Sequence, residues 1–137
     1  MSNRTVVEHA LKCFSDPLIR QYYFDLYSDD IILHGYQGID PGLENVKQFY
    51  AAFWLAFPDA SATAEEIVEQ SDTVVVRYVI AGTHRGAFMG VPASGKQIRV
   101  PGISILRFRN DRCFERWTAS DSLLLLAQIG GLPIRKA

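Results

Sequence analysis

His84 and Asp121 are the two residues of this sequence whose positions best suit proton transfer. His84 lies at the glycine-rich end of a predicted strand, and Asp121 lies between the last predicted strand and a helical tail. An imidazole can polarise a carbonyl group or stabilise an enolate oxygen. A carboxylate in an apolar chamber has its charged form disfavoured, which moves its pKa toward the range useful for a general base. Together they would remove a proton next to a carbonyl group.

Both residues also have a structural interpretation. Asp121, or Ser120 beside it, could cap the final helix by accepting a backbone N–H. His84 could be a hydrogen-bonded histidine at a strand bend, followed by the proline-bearing loop "GVPASGK". The residue types leave these alternatives open.

The elements that would hold these residues follow from the hydrophobic periodicity. Helical spacing predicts helices over residues 4–14, 16–26 and 43–57, and a short last helix in "SDSLLLLAQIGG". A short strand, "IILHGYQG", precedes the third helix. From residue 60 the period of two predicts the strands "SATAEEIVEQ", "TVVVRYVIAGTHRG", "KQIRVPGISILRFR" and "RCFERWTA", the last two joined by a tight turn at Asn110-Asp111. Helices followed by about four long antiparallel strands describe an α+β fold, in a single domain over residues 1–137.

Alternation along the strands selects the side chains that share one face. The predicted inward set of the first long strand is Val74, Val76, Tyr78, Ile80 and then His84, and that of the next includes Ser104. In the last strand Cys113, Glu115 and Trp117 are placed inward because the other set contains Arg116, although Phe114 in that set argues the other way. The predicted cavity is apolar and aromatic with a few polar groups, which is typical of a small-molecule site.

The aromatic and polar residues near this cavity are the candidate ligand contacts. The predicted substrate-binding residues are Ser104, Trp117, Tyr78, Trp54, Tyr50, Glu115 and His34. The aromatic members favour a flat ligand, or serve as wall and core residues. Glu115 could instead form an ion pair within its hairpin, and His34 could lie on the surface. The three histidines are far apart and lack paired acidic residues, so we expect neither a metal site nor a cofactor.

The composition narrows the possible partners. The chain has 137 residues, of which 48% are hydrophobic, and 14 basic residues nearly balance 15 acidic ones. With this balance the chain lacks the excess of positive charge that would indicate binding to nucleic acid or to an anionic membrane. Two cysteines are too few for a disulfide framework, and the apolar run "LLLLA" is too short to span a bilayer. We expect a cytoplasmic protein whose partners are a hydrophobic small molecule and a second copy of the chain.

Four segments together resemble a known family. "NVKQFYAAFWLAFPD", "GTHRGAFMGVPASGK", "PGISILRFRND" and "ERWTASDSLLLLAQIG" are similar to the SnoaL-like polyketide cyclases and ester cyclases of the nuclear-transport-factor-two-like superfamily. The resemblance runs from about residue 29 to residue 132. It implies a strongly curved antiparallel sheet, shaped as a cone around a pocket and closed by N-terminal helices, and a homodimer formed through sheet faces.

The resemblance also implies a chemistry. Cyclases of this family close polyketide rings by intramolecular aldol condensation, without a metal or a covalent intermediate. Their proposed acid/base, an aspartate before the C-terminal helix, matches Asp121, and the histidine of their glycine-histidine strand matches His84. At Ser104 the chain departs from the anthracycline-forming cyclases, which carry a second histidine there.

Other functions remain open for the same fold. An epoxide or ester hydrolase would need a water held between two charged groups. A non-catalytic binding or dimerisation module would need only the pocket or the outer face of the sheet. That outer face is predicted to carry Val75, Val79, Ile103 and Ile105 interleaved with Arg77, Arg99, Arg107 and Arg109. Apolar residues laced with charges suit a protein interface, which supports the homodimer.

Overall fold

The computed structural model describes residues 2–36 and 38–132. Its helices are α1 (Asn3–Phe14), a 3-10 helix (Arg20–Leu26), α2 (Leu43–Ala56) and α3 (Ser122–Ile129). Its strands are β1 (Tyr27–His34), β2 (Ser61–Gln70), β3 (Thr73–Thr83), β4 (Gln97–Arg109) and β5 (Arg112–Ser120). Met1, Gln37 and residues 133–137 lie outside the described residues, so the single-domain prediction over 1–137 and the predicted strand "IILHGYQG" fall partly on them.

The five strands form one curved sheet in the order β1-β5-β4-β3-β2. Strands β2 to β5 pair antiparallel with their neighbours, as expected. Strand β1 runs parallel to β5, with His34 opposite Trp117, and begins four residues before the predicted "IILHGYQG". The sheet is therefore antiparallel except at this edge, and the predicted α+β class is confirmed.

Helices α1 and α2 bury their apolar sides in the same core as the inner face of the sheet. Helix α1 begins at Ser2, whose hydroxyl accepts the Thr5 N–H at 3.1 Å, and it buries Val7, Ala10 and Phe14. Helix α2 ends before Pro58, which has no N–H to continue it. In the part of the chain that the structure describes, no helix is long and apolar enough to cross a bilayer.

The predicted second helix over residues 16–26 is only partly correct. The Asp16 carboxylate accepts the Leu18 N–H at 2.9 Å, which closes a side-chain turn at the start of this segment. Such a local bond competes with the helical hydrogen-bond pattern. The regular structure begins at Arg20 and is a 3-10 helix, which places Tyr23 and Leu26 in the core.

Strand β4 confirms the predicted alternation, since every second residue from Ile98 to Phe108 is buried. Strand β5 does not. The register shifts between Arg107 and Phe108, so that Phe108 lies opposite Cys113 while Leu106 lies opposite Arg116. This β-bulge inserts an extra residue and reverses the alternation beyond it. The prediction that Glu115 and Trp117 face inward is therefore wrong, and Arg116 is buried instead.

Candidate functional site

A chamber of about 520 Å³ lies between α2, the inner face of the sheet and the loop after β3. Its size suits a ligand of a few fused rings. Its walls are mainly aromatic and aliphatic: Phe49, Phe53, Ile80, Phe88, Met89, Ile98, Val100 and Leu125. Its polar wall residues are Tyr36, Tyr50, Tyr78, Thr118, Ser120 and Ser122. We call this space the outer chamber; it confirms the predicted apolar cavity with a few polar groups.

A second, smaller cavity of about 40 Å³ lies against α1, with Val7, Ala10 and Phe14 among its lining residues. This inner cavity shares Tyr36, Tyr50, Tyr78 and Ile80 with the outer chamber. Arg116 is also part of its wall. The shared tyrosines therefore stand between the apolar chamber and a buried positive charge.

Arg116 projects from β5 into the core and is 7% exposed. Its Nη1 donates to the hydroxyls of Tyr27 at 2.6 Å and Tyr23 at 3.1 Å, and its Nε and Nη2 donate to Ser104 at 3.2 and 2.9 Å. All of these acceptors are neutral hydroxyl oxygens. Among residues 2–36 and 38–132, no carboxylate forms a salt bridge with Arg116.

The tyrosine hydroxyls form a chain that starts at the guanidinium. Tyr23 donates to Tyr50 at 3.2 Å, so the 2.6 Å bond between Tyr23 and Tyr27 must use the Tyr27 proton. Tyr50 then contacts Tyr36 at 3.1 Å. Whichever of these two donates in that bond, the other keeps an O–H proton that no acceptor in the described part of the chain receives. That hydroxyl belongs to a wall residue of the outer chamber.

A second branch runs through Ser104. Its hydroxyl donates to Tyr78 at 3.3 Å and lies 2.8 Å from the hydroxyl of Thr118. Because Tyr78 accepts this bond, its own O–H proton is also without an acceptor among the described residues. The ring of Tyr78 lies against Gly102, where a Cβ atom would come within 2.8 Å of it. The glycine therefore allows Tyr78 to reach the chamber wall.

The electrostatics keep these tyrosines neutral. Burial raises the pKa of Tyr27 and of Tyr36 well above the ordinary value, and the opposing effect of Arg116 does not offset it. The pKa values of Tyr23 and Tyr50 are raised for the same reason. The cluster at neutral pH thus consists of one charged guanidinium surrounded by protonated hydroxyls, which act as hydrogen-bond donors and not as bases.

His84 is fully buried, as predicted, but it lies outside the sets of residues that line the two cavities. Its Nδ1 accepts the Ser94 N–H at 3.1 Å, so the neutral ring carries its proton on Nε2. The ring centroid is 5.4 Å from that of Phe57. Nε2 is buried and has no hydrogen-bond partner among the described residues. In this arrangement His84 anchors the loop after β3, and its catalytic role stays a prediction.

Asp121 is exposed, so the expected apolar surroundings of its carboxylate are absent. Its Oδ1 accepts the Leu124 N–H at 2.9 Å and caps α3. This is the capping alternative that the sequence left open. Its neighbours Ser120 and Ser122 both line the outer chamber, which places Asp121 beside the rim. Its role as acid/base stays a prediction.

The structure brings three predicted substrate-binding residues together on the opposite face of the sheet. His34 Nε2 lies 2.8 Å from Glu115 Oε2, and the His34 ring stacks on Trp117 with centroids 5.1 Å apart. The guanidinium carbon of Arg107 also lies over the Trp117 ring, 5.4 Å from the ring centre. The bulge in β5 is the reason for this placement. Glu115 therefore pairs with His34 on β1, and the alternative of an ion pair within its own hairpin is not what the structure shows.

The remaining predicted contacts divide between wall and core. Tyr50 and Tyr78 line the outer chamber, and Ser104 is fully buried behind it. Trp54 packs in the aromatic cluster with Phe14 at 5.5 Å and serves as a core residue. No group of three or more histidines, cysteines and acidic residues is placed to hold a metal within residues 2–36 and 38–132.

Sequence reasoning missed Arg116 and the hydroxyls of Tyr23, Tyr27 and Tyr36. The four-residue spacing of Tyr23 and Tyr27 on one side of a helical segment was an available signal. For Arg116 the alternation held no such signal, because Cys113 and Arg116 are both buried while Phe114 between them lies against Arg109.

Comparison with known proteins places this chain in a family. The chain resembles IdmH of Streptomyces antibioticus, a proposed polyketide cyclase, with 29% identity, a TM-score of 0.78, and coverage of 95% of this chain and 99% of that one. A SnoaL-like protein from Jannaschia sp. CCS1, a proposed polyketide cyclase, gives 24% identity, a TM-score of 0.82, and coverage of 96% and 93%. AclR of Streptomyces galilaeus, a proposed hydroxylase, gives 23% identity, a TM-score of 0.83, and coverage of 96% and 97%. No curated protein matches the chain significantly. The family model for SnoaL-like polyketide cyclases matches residues 20–129, and the chain belongs to this family.

Proposed function

We propose that this protein is a cofactor-independent enzyme that binds a hydrophobic, polyketide-like carbonyl compound in the outer chamber and catalyses aldol cyclisation or isomerisation through an enolate. One observation carries the proposal. A hydrogen-bonded chain of hydroxyls begins at the buried guanidinium of Arg116 and ends in uncommitted O–H groups at the wall of an apolar chamber. The 29% identity with IdmH supports a cyclase among the reactions that this fold performs.

The chamber walls suit a flat apolar substrate. The outer chamber is lined by Phe49 and Phe53 from α2, by Phe88 from the loop after β3, and by Ile98 and Val100 from β4. Burying a ring system against these side chains contributes roughly 25 cal/mol for each Å² of apolar surface removed from water. The polar wall lies on the side of Tyr36, Tyr50 and Tyr78, so a carbonyl oxygen would be directed there.

The hydroxyls would stabilise the charge that develops during the reaction. When a base removes the proton next to a carbonyl, the C–H electron pair forms a C=C bond and the carbonyl π pair moves onto oxygen. The free O–H of Tyr36 or Tyr50 and that of Tyr78 would donate to this oxyanion. Arg116 polarises the hydrogen-bonded hydroxyls that lead to these donors, because hydrogen bonds in series strengthen one another in a medium of low dielectric constant. The enolate carbon then attacks a second carbonyl of the same molecule, and the resulting alkoxide takes up a proton.

We assign the proton removal to Asp121. Its Oδ1 caps α3, while Oδ2 has no hydrogen-bond donor in the described part of the chain. The residue lies between two serines of the chamber rim. A substrate with its acidic carbon at the mouth and its carbonyl oxygen against the tyrosines would satisfy both ends of the site.

A hydrolase is less well supported. Arg116 would be one of the two charged groups that such a mechanism needs. However, the adjacent carboxylate, Glu115, pairs with His34 on the outer face of the sheet. Among the described residues, no carboxylate pairs with Arg116. A second charged group that could hold a water molecule against the guanidinium is therefore missing from this part of the chain.

Hydrogen–deuterium exchange at the acidic carbon of an aryl 1,3-diketone tests the proposal, since exchange requires only enolisation. We expect the wild-type protein to accelerate exchange. The double variant Tyr36→Phe/Tyr78→Phe should lose about 100-fold of that rate, as is typical when an oxyanion donor is removed. Tyr22→Phe is the matched control, because Tyr22 is 50% exposed and lies outside both cavities. Equal exchange rates in the double variant and the wild type would reject the proposal.

A further inference from the structure

The cluster around Arg116 carries an unbalanced positive charge. Four N–H contacts of the guanidinium go to three neutral hydroxyls, those of Tyr23, Tyr27 and Ser104. The five salt bridges found in the described residues all lie elsewhere in the molecule. A buried charge without a counter-charge is costly, because the low-dielectric interior replaces water without neutralising the charge. The site therefore favours any anion that reaches it.

Residues 2–36 and 38–132 do not supply that anion. The pKa values of Tyr27 and Tyr36 lie well above the ordinary value because burial disfavours the phenolate form. Arg116 opposes this effect in both residues without overcoming it. The hydroxyls remain protonated, so they do not neutralise the charge of Arg116. Their hydrogen bonds run from the guanidinium toward the wall of the outer chamber. The guanidinium carbon of Arg116 is 5.9 Å from the ring centre of Tyr36, which lines that chamber.

We propose that the outer chamber selectively binds the ionised form of an acidic hydroxyl compound, a phenolate or an enolate, over the neutral form. This inference rests on the proposed function, since an enolate intermediate would be held by the same contacts. It adds that an aromatic or enolic ligand is recognised as an anion before any reaction occurs. Two O–H donors at the wall and one cation behind them match a single oxygen that carries part of a delocalised charge.

A delocalised oxyanion fits this chamber better than a carboxylate does. The walls near the hydroxyls are aromatic or aliphatic, including Phe49, Ile80 and Val100. A phenolate spreads its charge over a flat ring that these side chains can contact, whereas a carboxylate would bring two strongly hydrated oxygens into an apolar space. The ligand class is therefore a flat, acidic phenol or 1,3-dicarbonyl enol.

The test uses 4-nitro-1-naphthol, whose ionised form has its own visible absorption band, and its methyl ether, which cannot ionise. We expect the naphthol bound to the wild-type protein to titrate about 1 pH unit or more below its free pKa. We expect the ether to bind at least tenfold more weakly at a pH where the free naphthol is half ionised. Arg116→Met keeps an unbranched side chain of similar length without the charge, and it should abolish both differences. Tyr22→Phe should preserve them.

The results separate this inference from the proposed function. A bound naphthol that titrates at or above its free pKa, equal affinity for the ether, or no binding of either compound would overturn the inference. Retention of the pKa difference in Arg116→Met would also overturn it, and circular dichroism would establish that the variant is folded. If Arg116→Met does not fold, Tyr36→Phe/Tyr78→Phe, which keeps the cation, must reduce the difference, and an unchanged difference would refute the inference. Anion binding without diketone exchange would leave this inference standing and reject the enzyme proposal, and exchange with neutral binding would do the reverse.

Discussion

The Arg116 guanidinium donates a 2.6 Å hydrogen bond to the hydroxyl of Tyr27, across the pair formed by the parallel strand β1 and strand β5. Both residues are buried, and the bond joins a cation to a neutral group. Tyr27 begins β1 directly after the 3-10 helix, so this contact links the helical layer to the edge of the sheet. The position of the charge in the core therefore depends on how the helices close over the sheet.

The first prediction concerns Asp121→Asn. Asparagine can still accept the Leu124 N–H, so the cap of α3 and the melting temperature should change little. If Asp121 is the base, diketone exchange should fall by about 100- to 10,000-fold, the usual contribution of a general base. Turnover and melting temperature are measured on the same preparations. Equal turnover in variant and wild type would reject the catalytic assignment.

Asp121→Ala is the informative companion, because it removes the cap and the carboxylate together. We expect it to lower the free energy of unfolding by about 1 kcal/mol, which is typical for loss of an N-cap side chain. Its exchange rate should match that of Asp121→Asn. An alanine variant that is slower than the asparagine variant would show that the cap itself supports activity.

The second prediction concerns His84→Ala. The imidazole is fully buried and anchors Ser94 in the loop whose Phe88 lines the chamber. Removing it leaves a cavity and an unpaired Ser94 N–H, so the free energy of unfolding should fall by about 2 kcal/mol or more. Exchange per folded molecule should fall less than in Tyr36→Phe/Tyr78→Phe. Loss of exchange with an unchanged melting temperature would instead assign His84 to the chemistry.

The third prediction concerns stability at alkaline pH. Burial raises the pKa of Cys113 to about 11, whereas an unfolded thiol titrates near ~8.5. The contribution of this thiol to stability is therefore fully present below about pH 8.5 and is lost as the pH rises toward 11. Between pH 7 and pH 10.5 the ionisation of this thiol should lower the free energy of unfolding by about 2.5 kcal/mol.

Urea unfolding of wild type and Cys113→Ala at these two pH values checks that contribution. The buried tyrosines, whose pKa values are also raised, destabilise both proteins above pH 10, so the difference between the two pH slopes isolates the thiol. We expect the shallower decline in Cys113→Ala. Parallel declines in the two proteins would show that Cys113 does not contribute.

The regular parts of this fold could be predicted from local sequence. Strand β2 has the predicted bounds, 61–70. Strand β4 shows the predicted alternation over its whole length, because in a strand with one buried face every second side chain is apolar and buried. The Asn110-Asp111 turn is also as predicted, with φ values of 53° and 64°. These features depend on neighbouring residues alone.

The core of the candidate site could not be predicted in this way. A single bulge before Arg116 changes the face of every later residue in β5. The alternation of apolar and polar residues in the sequence does not show where such an extra residue is inserted. The hydroxyl chain joins Tyr23, Tyr50 and Tyr36, which lie in a 3-10 helix, in α2 and after β1. Their meeting is set by tertiary packing, so no sequence spacing encodes it.

The last prediction concerns assembly through the outer face of the sheet. Ile103 and Ile105 on β4 are 47% and 41% exposed, and Ile32 on β1 is 39% exposed. These residues share that face with the stacked His34 and Trp117, so an apolar surface is edged by polar groups, as in many specific interfaces. We expect a homodimer, with a dimer mass by light scattering at micromolar concentration.

Ile105→Asp places a charge at the centre of the face and should give a folded monomer. Leu18→Asp is the control, because Leu18 is 83% exposed in the turn after α1. A monomeric wild type would reject the prediction, and a dimeric Ile105→Asp variant would place the interface elsewhere.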